Sequence, residues 1–223
     1  MATRILYACA RIFLALQKVE KVSKVLLLFK KAILIFRTIT FEMKKNILVL
    51  TSSPRIGGNT DMLADAFING AESEGNKVVK FDAARKQISG CKACDKCFSN
   101  GSACVFNDDF NQLAMHMEAA DTLVIITPMY WFTFPSQIKA AIDKFYAFHV
   151  AKRECSIKNA AMIVCAETDD EDEFEGIVST YKLIAGYEKW NNLGVLLVPN
   201  VSGKGDVEHT EGLAKAREFG ATL

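Results

Sequence analysis

Five apolar runs of strand length, at 46–50, 77–81, 122–126, 160–165 and 194–198, alternate with helix-length stretches at 60–74, 109–119, 136–147, 171–187 and 207–219. Strands separated by so much chain cannot pair as hairpins. They are expected to lie parallel, joined by crossover helices that cover both faces of a single sheet. The first run, Asn46 to Leu50, is continuously apolar after its first residue, as a strand buried on both sides must be. No internal repeat, low-complexity tract or linker interrupts the pattern, so residues 43–223 are expected to form one α/β domain. With half of its 223 residues apolar, the chain can bury a full core.

Residues 1–42 look like different material. They carry eight basic residues against Glu20 and Glu42, a net charge of +6, which leaves 19 basic and 24 acidic residues, a net −5, for the rest. The apolar runs Val25 to Phe29 and Ala32 to Phe36 are interrupted by Lys30 and Lys31 and do not reach the length of a bilayer span. The lysines, and the lack of a small-residue cleavage site, also argue against a secretory signal. A transit peptide or a basic helix lying on a membrane surface is compatible with this composition. Neither accounts for Met43-Lys44-Lys45, which looks like a translation start set directly before the first strand. The expectation is that the working protein begins at Met43 and that residues 1–42 are a basic, apolar extension outside the fold.

The first strand stops in a hydroxyl- and glycine-rich loop, Thr51-Ser52-Ser53-Pro54-Arg55-Ile56-Gly57-Gly58-Asn59-Thr60, which opens a helix carrying Met62, Leu63, Ala66 and Phe67. Asn59 or Thr60 is expected to cap that helix. A loop at a strand's carboxyl end and a helix's amino end presents unpaired N–H groups and the positive end of the helix dipole, both of which favour an anion. Ser52, Ser53, Arg55, Asn59 and Thr60 add donors suited to a phosphate, and Gly57 and Gly58 let the backbone come close. The plainer alternative is an ordinary tight strand-to-helix turn. Two nucleotide loops are excluded, since neither G-x-x-x-x-G-K-S/T nor G-x-G-x-x-G occurs.

Ser53 to Thr60 reads S-P-R-x-x-G-N-T and resembles the phosphate loop of flavodoxin-like NAD(P)H-dependent FMN reductases, where it holds the 5′-phosphate of FMN. The resemblance implies a flavodoxin-like, doubly wound, five-stranded parallel sheet of order 2-1-3-4-5, with the ligand beyond the carboxyl ends of the first and third strands. The third strand should then end in the second wall of the site. It ends in Thr127-Pro128-Met129-Tyr130-Trp131-Phe132-Thr133-Phe134-Pro135, whose aromatics suit a planar, partly apolar ring. For any one of these aromatics, roofing the core is the plainer alternative. As a set, Pro128 through Lys144 reproduce the family pattern P-x-Y-W-x-x-x-P-x-x-x-K-x-x-I-D-K/R. The FMN-binding residues implied are Ser52, Ser53, Pro54, Arg55, Gly58, Asn59 and Thr60 for the phosphate, and Pro128, Met129, Tyr130, Trp131, Phe132 and Cys165 around the ring. On its residues alone, Cys165 is a small core residue at a strand end, and the acidic run 167–175 is a solvated helix start.

Between the second strand and the second helix, four of the seven cysteines fall within 14 residues as Cys91-x-x-Cys94-x-x-Cys97-x6-Cys104. This loop, at 90–106, is much longer than an ordinary connection. A disulfide framework is not expected in a chain without a secretory signal. Four thiolates this close suit a tetrahedral zinc or an iron-sulfur cluster, and unligated thiols are the third alternative. Zinc sites more often pair two C-x-x-C knuckles across a longer gap. The spacing resembles the compact motif of the iron-sulfur flavoproteins, C-x2-C-x2-C-x(4 to 7)-C followed by acids, here Asp108 and Asp109, and that resemblance implies a 4Fe-4S cluster.

No paired carboxylates or Ser-His-Asp set suggests hydrolysis, and the lysines after Met43 form no nucleic-acid pattern. His116 and His149 read as surface or boundary residues rather than ligands, His209 lies in the polar start of the last helix, and Cys155 has no partner in sequence. Where a flavin carries the redox chemistry, the protein need not supply a catalytic acid or base. The resemblance implies a cytoplasmic oxidoreductase that passes electrons from NAD(P)H or a reduced ferredoxin-type protein to a small-molecule acceptor such as a quinone or flavin, assembled as a homodimer or homotetramer. The alternatives are a non-catalytic FMN electron carrier, a plain NADPH-dependent FMN reductase without a cluster, and a flavodoxin-like domain whose metal loop is structural.

Overall fold

The computed structural model describes residues 44–223; the expectations for residues 1–42 and for Met43 lie outside them. Strands β1 (Asn46–Thr51), β2 (Lys77–Asp82), β3 (Thr122–Pro128), β4 (Asn159–Cys165) and β5 (Asn191–Val198) form one parallel sheet in the order β2-β1-β3-β4-β5, the order that the family resemblance implies. Thr51 pairs with Ile126, Pro128 with Cys165, and Cys165 with Val198, so the chain leaves β1, β3, β4 and β5 along one edge.

Among the described residues six helices flank the sheet: α1 (Asn59–Ser73), α2 (Phe110–Ala119), α3 (Ser136–Asp143), α4 (Tyr146–Val150), α5 (Glu175–Tyr187) and α6 (Gly212–Ala221). Alternate strand residues point to opposite faces, which divides the core in two. Ile47, Val49, Val124 and Ile126 pack with Leu63 and Phe67 of α1 and Ala216 of α6. Leu48, Leu50, Leu123 and Ile125 pack with Leu113 of α2, Ile138 of α3 and Ile177 of α5. Each such side chain contributes about 1.5–3 kcal/mol by leaving water. On the first face α1 and α6 touch backbone to backbone: a Cβ at Gly70 would lie 2.0 Å from the Arg217 carbonyl oxygen, and one at Gly220 2.1 Å from that of Phe67.

Several element boundaries differ from the expectation. β5 begins at Asn191, three residues early, because Leu193 is an extra residue in a bulge opposite Ala160 and Ala161. Its polar first residues hide it from a reading based on apolar runs. The stretch 136–147 is two helices, broken at Lys144 and Phe145, where the Lys144 side chain turns inward to Asp108. The stretch 171–187 starts as a 3-10 turn at Glu171–Phe174, and 207–219 divides into a 3-10 turn at Asp206–His209 and α6. No helix of the described residues is long and apolar enough to cross a membrane.

Candidate functional site

The loops after β1, β3, β4 and β5 enclose a cavity of about 510 Å³, within the range of cofactor sites. Ser53, Arg55, Asn59 and Thr60 line it from the first loop, and Pro128, Met129, Tyr130, Trp131 and Phe132 from the second. Cys165 joins the two walls, with its Sγ 3.5 Å from Thr60 Oγ1 and its carbonyl accepting from the Met129 N–H at 2.9 Å. Burial pushes the Cys165 thiol up to about 11, so it is a neutral thiol near pH 7.

Three of the residues expected on this surface are not on it. Ser52 is fully buried, and its hydroxyl is 2.7 Å from Thr127 Oγ1, a bond that ties the ends of β1 and β3 together. Pro54 is exposed. Gly58 closes the turn, donating its N–H to the Arg55 carbonyl at 3.1 Å, and a Cβ there would press on that same oxygen at 3.0 Å.

The expected cap is also corrected. The N-cap of α1 is Gly58, with no side-chain bond, and neither Asn59 nor Thr60 takes that role. Asn59 instead reaches the segment after β5: Nδ2 donates to the Gly203 carbonyl at 2.8 Å, and Oδ1 accepts from the N–H groups of Gly205 at 2.9 Å and Val207 at 3.3 Å. Those backbone groups have no strand partner, and the amide satisfies them. The first-turn N–H groups of α1 are left uncapped by side chains, the condition under which a helix start binds an anion.

The aromatic wall is a tight hairpin. Tyr130 and Thr133 exchange N–H to carbonyl bonds at 3.0 and 3.1 Å, and the two residues between them, Trp131 and Phe132, sit at φ +47° and +63°. Both positions are left-handed, which for bulky residues costs roughly 1–2 kcal/mol each, and such strain gathers at functional sites. Gly176 of α5 makes room, since a Cβ there would lie 2.7 Å from the Phe132 carbonyl. Trp131 is 92% exposed while Phe134 is buried in the core, so roofing the core accounts for Phe134 alone among these aromatics.

Glu167, Thr168, Glu173, Val201 and Ser202 also line the cavity. Arg55 Nη1 donates to the Ser202 carbonyl at 2.7 Å, and Ser202 Oγ donates to Glu167 Oε2 at 3.2 Å. Nothing in the composition of 199–205 marks that segment as part of a site. The available signal is topological: β5 ends at the same edge as β1, β3 and β4.

Residues 86–109 contain neither helix nor strand. The neck of this loop is clamped. Gln87 and Asp109 exchange bonds at 3.0 and 2.7 Å, Asp108 accepts from the Ser89 N–H at 3.0 Å, and Asn111 Oδ1 accepts from the Cys104 N–H at 2.7 Å. Lys144, 3% exposed, pairs with Asp108 beneath. Cys91, Cys94, Cys97 and Cys104 line one small pocket beside Phe110 and Lys144. Burial raises the Cys97 thiol, and the neighbouring sulfurs of Cys104, Cys94 and Cys91 raise it further.

Among the described residues no three His, Cys, Asp or Glu side chains converge as ligands of a single metal ion. One zinc with 2.3 Å bonds would draw its sulfurs to within about 4 Å of each other. A cubane takes one thiolate at each of four separate iron corners, and four soft sulfur donors lining one pocket suit the ligand chemistry of either group. Cys91 and Cys94 are exposed, so their side chains can turn toward such a group without disturbing the core.

Sheet order, cleft and loop chemistry together define a flavodoxin-like α/β protein. The chain belongs to the NADPH-dependent FMN reductase family, whose model matches residues 45–195. It is 30% identical over 99 residues to an iron-sulfur flavoprotein of Archaeoglobus fulgidus (44% of this chain and 44% of that one), and 30% identical over 95 residues to one of Methanosarcina thermophila (43% and 49%). The matched part is thus about half the length of these curated relatives. An NAD(P)H:quinone oxidoreductase from Methanothermobacter marburgensis shares the fold, with a TM-score of 0.65 at 20% identity over 81% of this chain and 97% of that one.

Proposed function

We propose that this chain is an FMN-dependent oxidoreductase that passes electrons from NAD(P)H or reduced ferredoxin to an acceptor such as a quinone or flavin. One observation carries the reading: an uncapped helix start with Ser53, Arg55 and Thr60 shares a single cavity with a strained hairpin of exposed aromatics. Ser53, Thr60, Arg55 and the first N–H groups of α1 would hold the phosphate, while Pro128 to Phe132 and Cys165 would border the ring. The chemistry that FMN supplies when bound is hydride and electron transfer. Cys91, Cys94, Cys97 and Cys104 would hold a 4Fe-4S cluster, which supplies one-electron transfer. The names of the archaeal relatives favour this over a plain FMN reductase without a cluster. A start at Met43, a cytoplasmic location and a closed homodimer or homotetramer complete the reading.

The test is anaerobic purification of the chain from Met43. Bound FMN, about four irons per chain, and steady NADPH oxidation with a quinone or flavin are expected. Reduced ferredoxin should deliver electrons quickly to the wild type and slowly to Cys97→Ser. Equal ferredoxin rates would remove the cluster from the path, FMN binding without turnover would make the protein a carrier, and failure to bind FMN would overturn the reading.

A further inference from the structure

The helix that follows the first loop carries a negative charge in its first turn. Asp61, in the first turn of α1, is buried, and its Oδ2 accepts from the Gly57 N–H at 2.8 Å and from Arg85 Nη2 at 2.7 Å. Its Oδ1 lies 3.6 Å from Lys80 Nζ and has no hydrogen bond among the described residues. Arg85 stands in the 3-10 turn after β2, Ala83–Arg85, and is itself paired with Asp82. Burial alone would raise Asp61, but Arg85, the Gly57 N–H and Lys80 more than offset it and hold the carboxyl below its ordinary range.

Gly57 sits at φ +61°, and its N–H is aimed at Asp61. The carboxylate therefore sets the direction of a peptide in the turn that precedes the anion-binding helix start. It is also a buried like charge within the first turn of the helix whose start would meet an anion, and without a cation it opposes that anion. Arg85 makes the closer of two cation contacts to Asp61, 2.7 Å against 3.6 Å for Lys80, so it does most to offset the charge and, with the Gly57 N–H, fixes the carboxylate's orientation.

We propose that Arg85 is a positioning residue for phosphate recognition, acting through Asp61 on the Gly57 turn from outside the cavity. This rests on the flavin reading above and extends it to a residue that lies beyond the loop's own motif and is absent from the cavity lining.

The experiment compares FMN with riboflavin, which differ only by the phosphate, in titrations of the full chain. The wild type should prefer FMN. Arg85→Ala should lose about tenfold or more in FMN affinity while riboflavin affinity stays within about twofold, and Arg85→Lys should retain most of the preference. Adding Asp61→Asn to Arg85→Ala should recover most of the loss, because the amide oxygen still accepts from Gly57 but carries no charge. Because Asp82 also loses Arg85, adding Asp82→Asn to that double variant leaves neither carboxylate without its cation, so the triple variant carries the test, with the same expected recovery, even where Arg85→Ala alone fails to fold. A wild-type FMN-to-riboflavin ratio in Arg85→Ala, or a double variant with no FMN preference, overturns the proposal. A wild type that binds both flavins equally overturns the phosphate reading itself, and the proposal with it.

Discussion

The flavin-type cleft and the cysteine loop both begin at carboxyl ends of strands in one sheet, but their polar groups are used differently. Around the cleft the loops bind one another: Ser52 to Thr127, Asn59 to residues 203–207, Arg55 to Ser202. The geometry is set by the protein, and Ser53, Thr60 and the start of α1 line the cavity that remains. In the cysteine loop the bonds gather at the neck, in Asp108, Asp109, Asn111 and Lys144, and the thiols ring a small pocket beyond it. A cleft that is preorganised lowers the ordering cost of binding, whereas ligands held only at a loop's root gain their final arrangement from the metal.

The strongest way to break this comparison is Cys97→Ser. All iron should be lost and FMN retained, measured as iron and flavin content after anaerobic reconstitution. Loss of both would show that the two regions are not independent. Next is Lys144→Met, which leaves Asp108 buried without its cation. Breaking such a pair costs about 3–5 kcal/mol, read as a lower urea midpoint, and a change below about 1 kcal/mol would mean that the neck is not held by charge.

Asn59→Ala sharpens the other side. It removes three hydrogen bonds between α1 and the segment after β5 and should cost about 2–3 kcal/mol, while Ser52→Ala should cost about 1 kcal/mol. FMN affinity should fall in Asn59→Ala although its amide faces the loop rather than the phosphate; unchanged affinity would show that the 203–207 segment does not shape the site. The smallest effect belongs to the aromatic hairpin. Phe132→Asn places a residue that tolerates the left-handed region at that φ and should stabilise the fold by about 0.5–1 kcal/mol while weakening FMN binding. A destabilised variant would mean that packing of Phe132 outweighs its backbone strain.

Much of this architecture is legible in the sequence alone. The apolar runs reveal which segments are buried on both faces, and the resemblance of 53–60 and 128–144 supplied the sheet order. Boundaries failed where non-local partners took over. β5 starts among asparagines because it pairs with β4 around a bulge, and the helix beginning at Ser136 stops because Lys144 is drawn into the base of the cysteine loop. Neither partner can be seen in a local window.

By itself the sequence determined the alternation of strands and helices, the two loops that become the walls of the cleft, and the crowding of four thiols into one connection. These are local properties of spacing and composition. Only the tertiary structure decided which partners the polar groups of the first loop take. Ser52 and Asn59 carry the same kinds of donor as Ser53 and Thr60, but one meets Thr127 at 75 residues' separation and the other Gly203 at 144. A buried hydroxyl or amide goes to the partner that satisfies it, and where that partner lies is a property of the folded sheet edge.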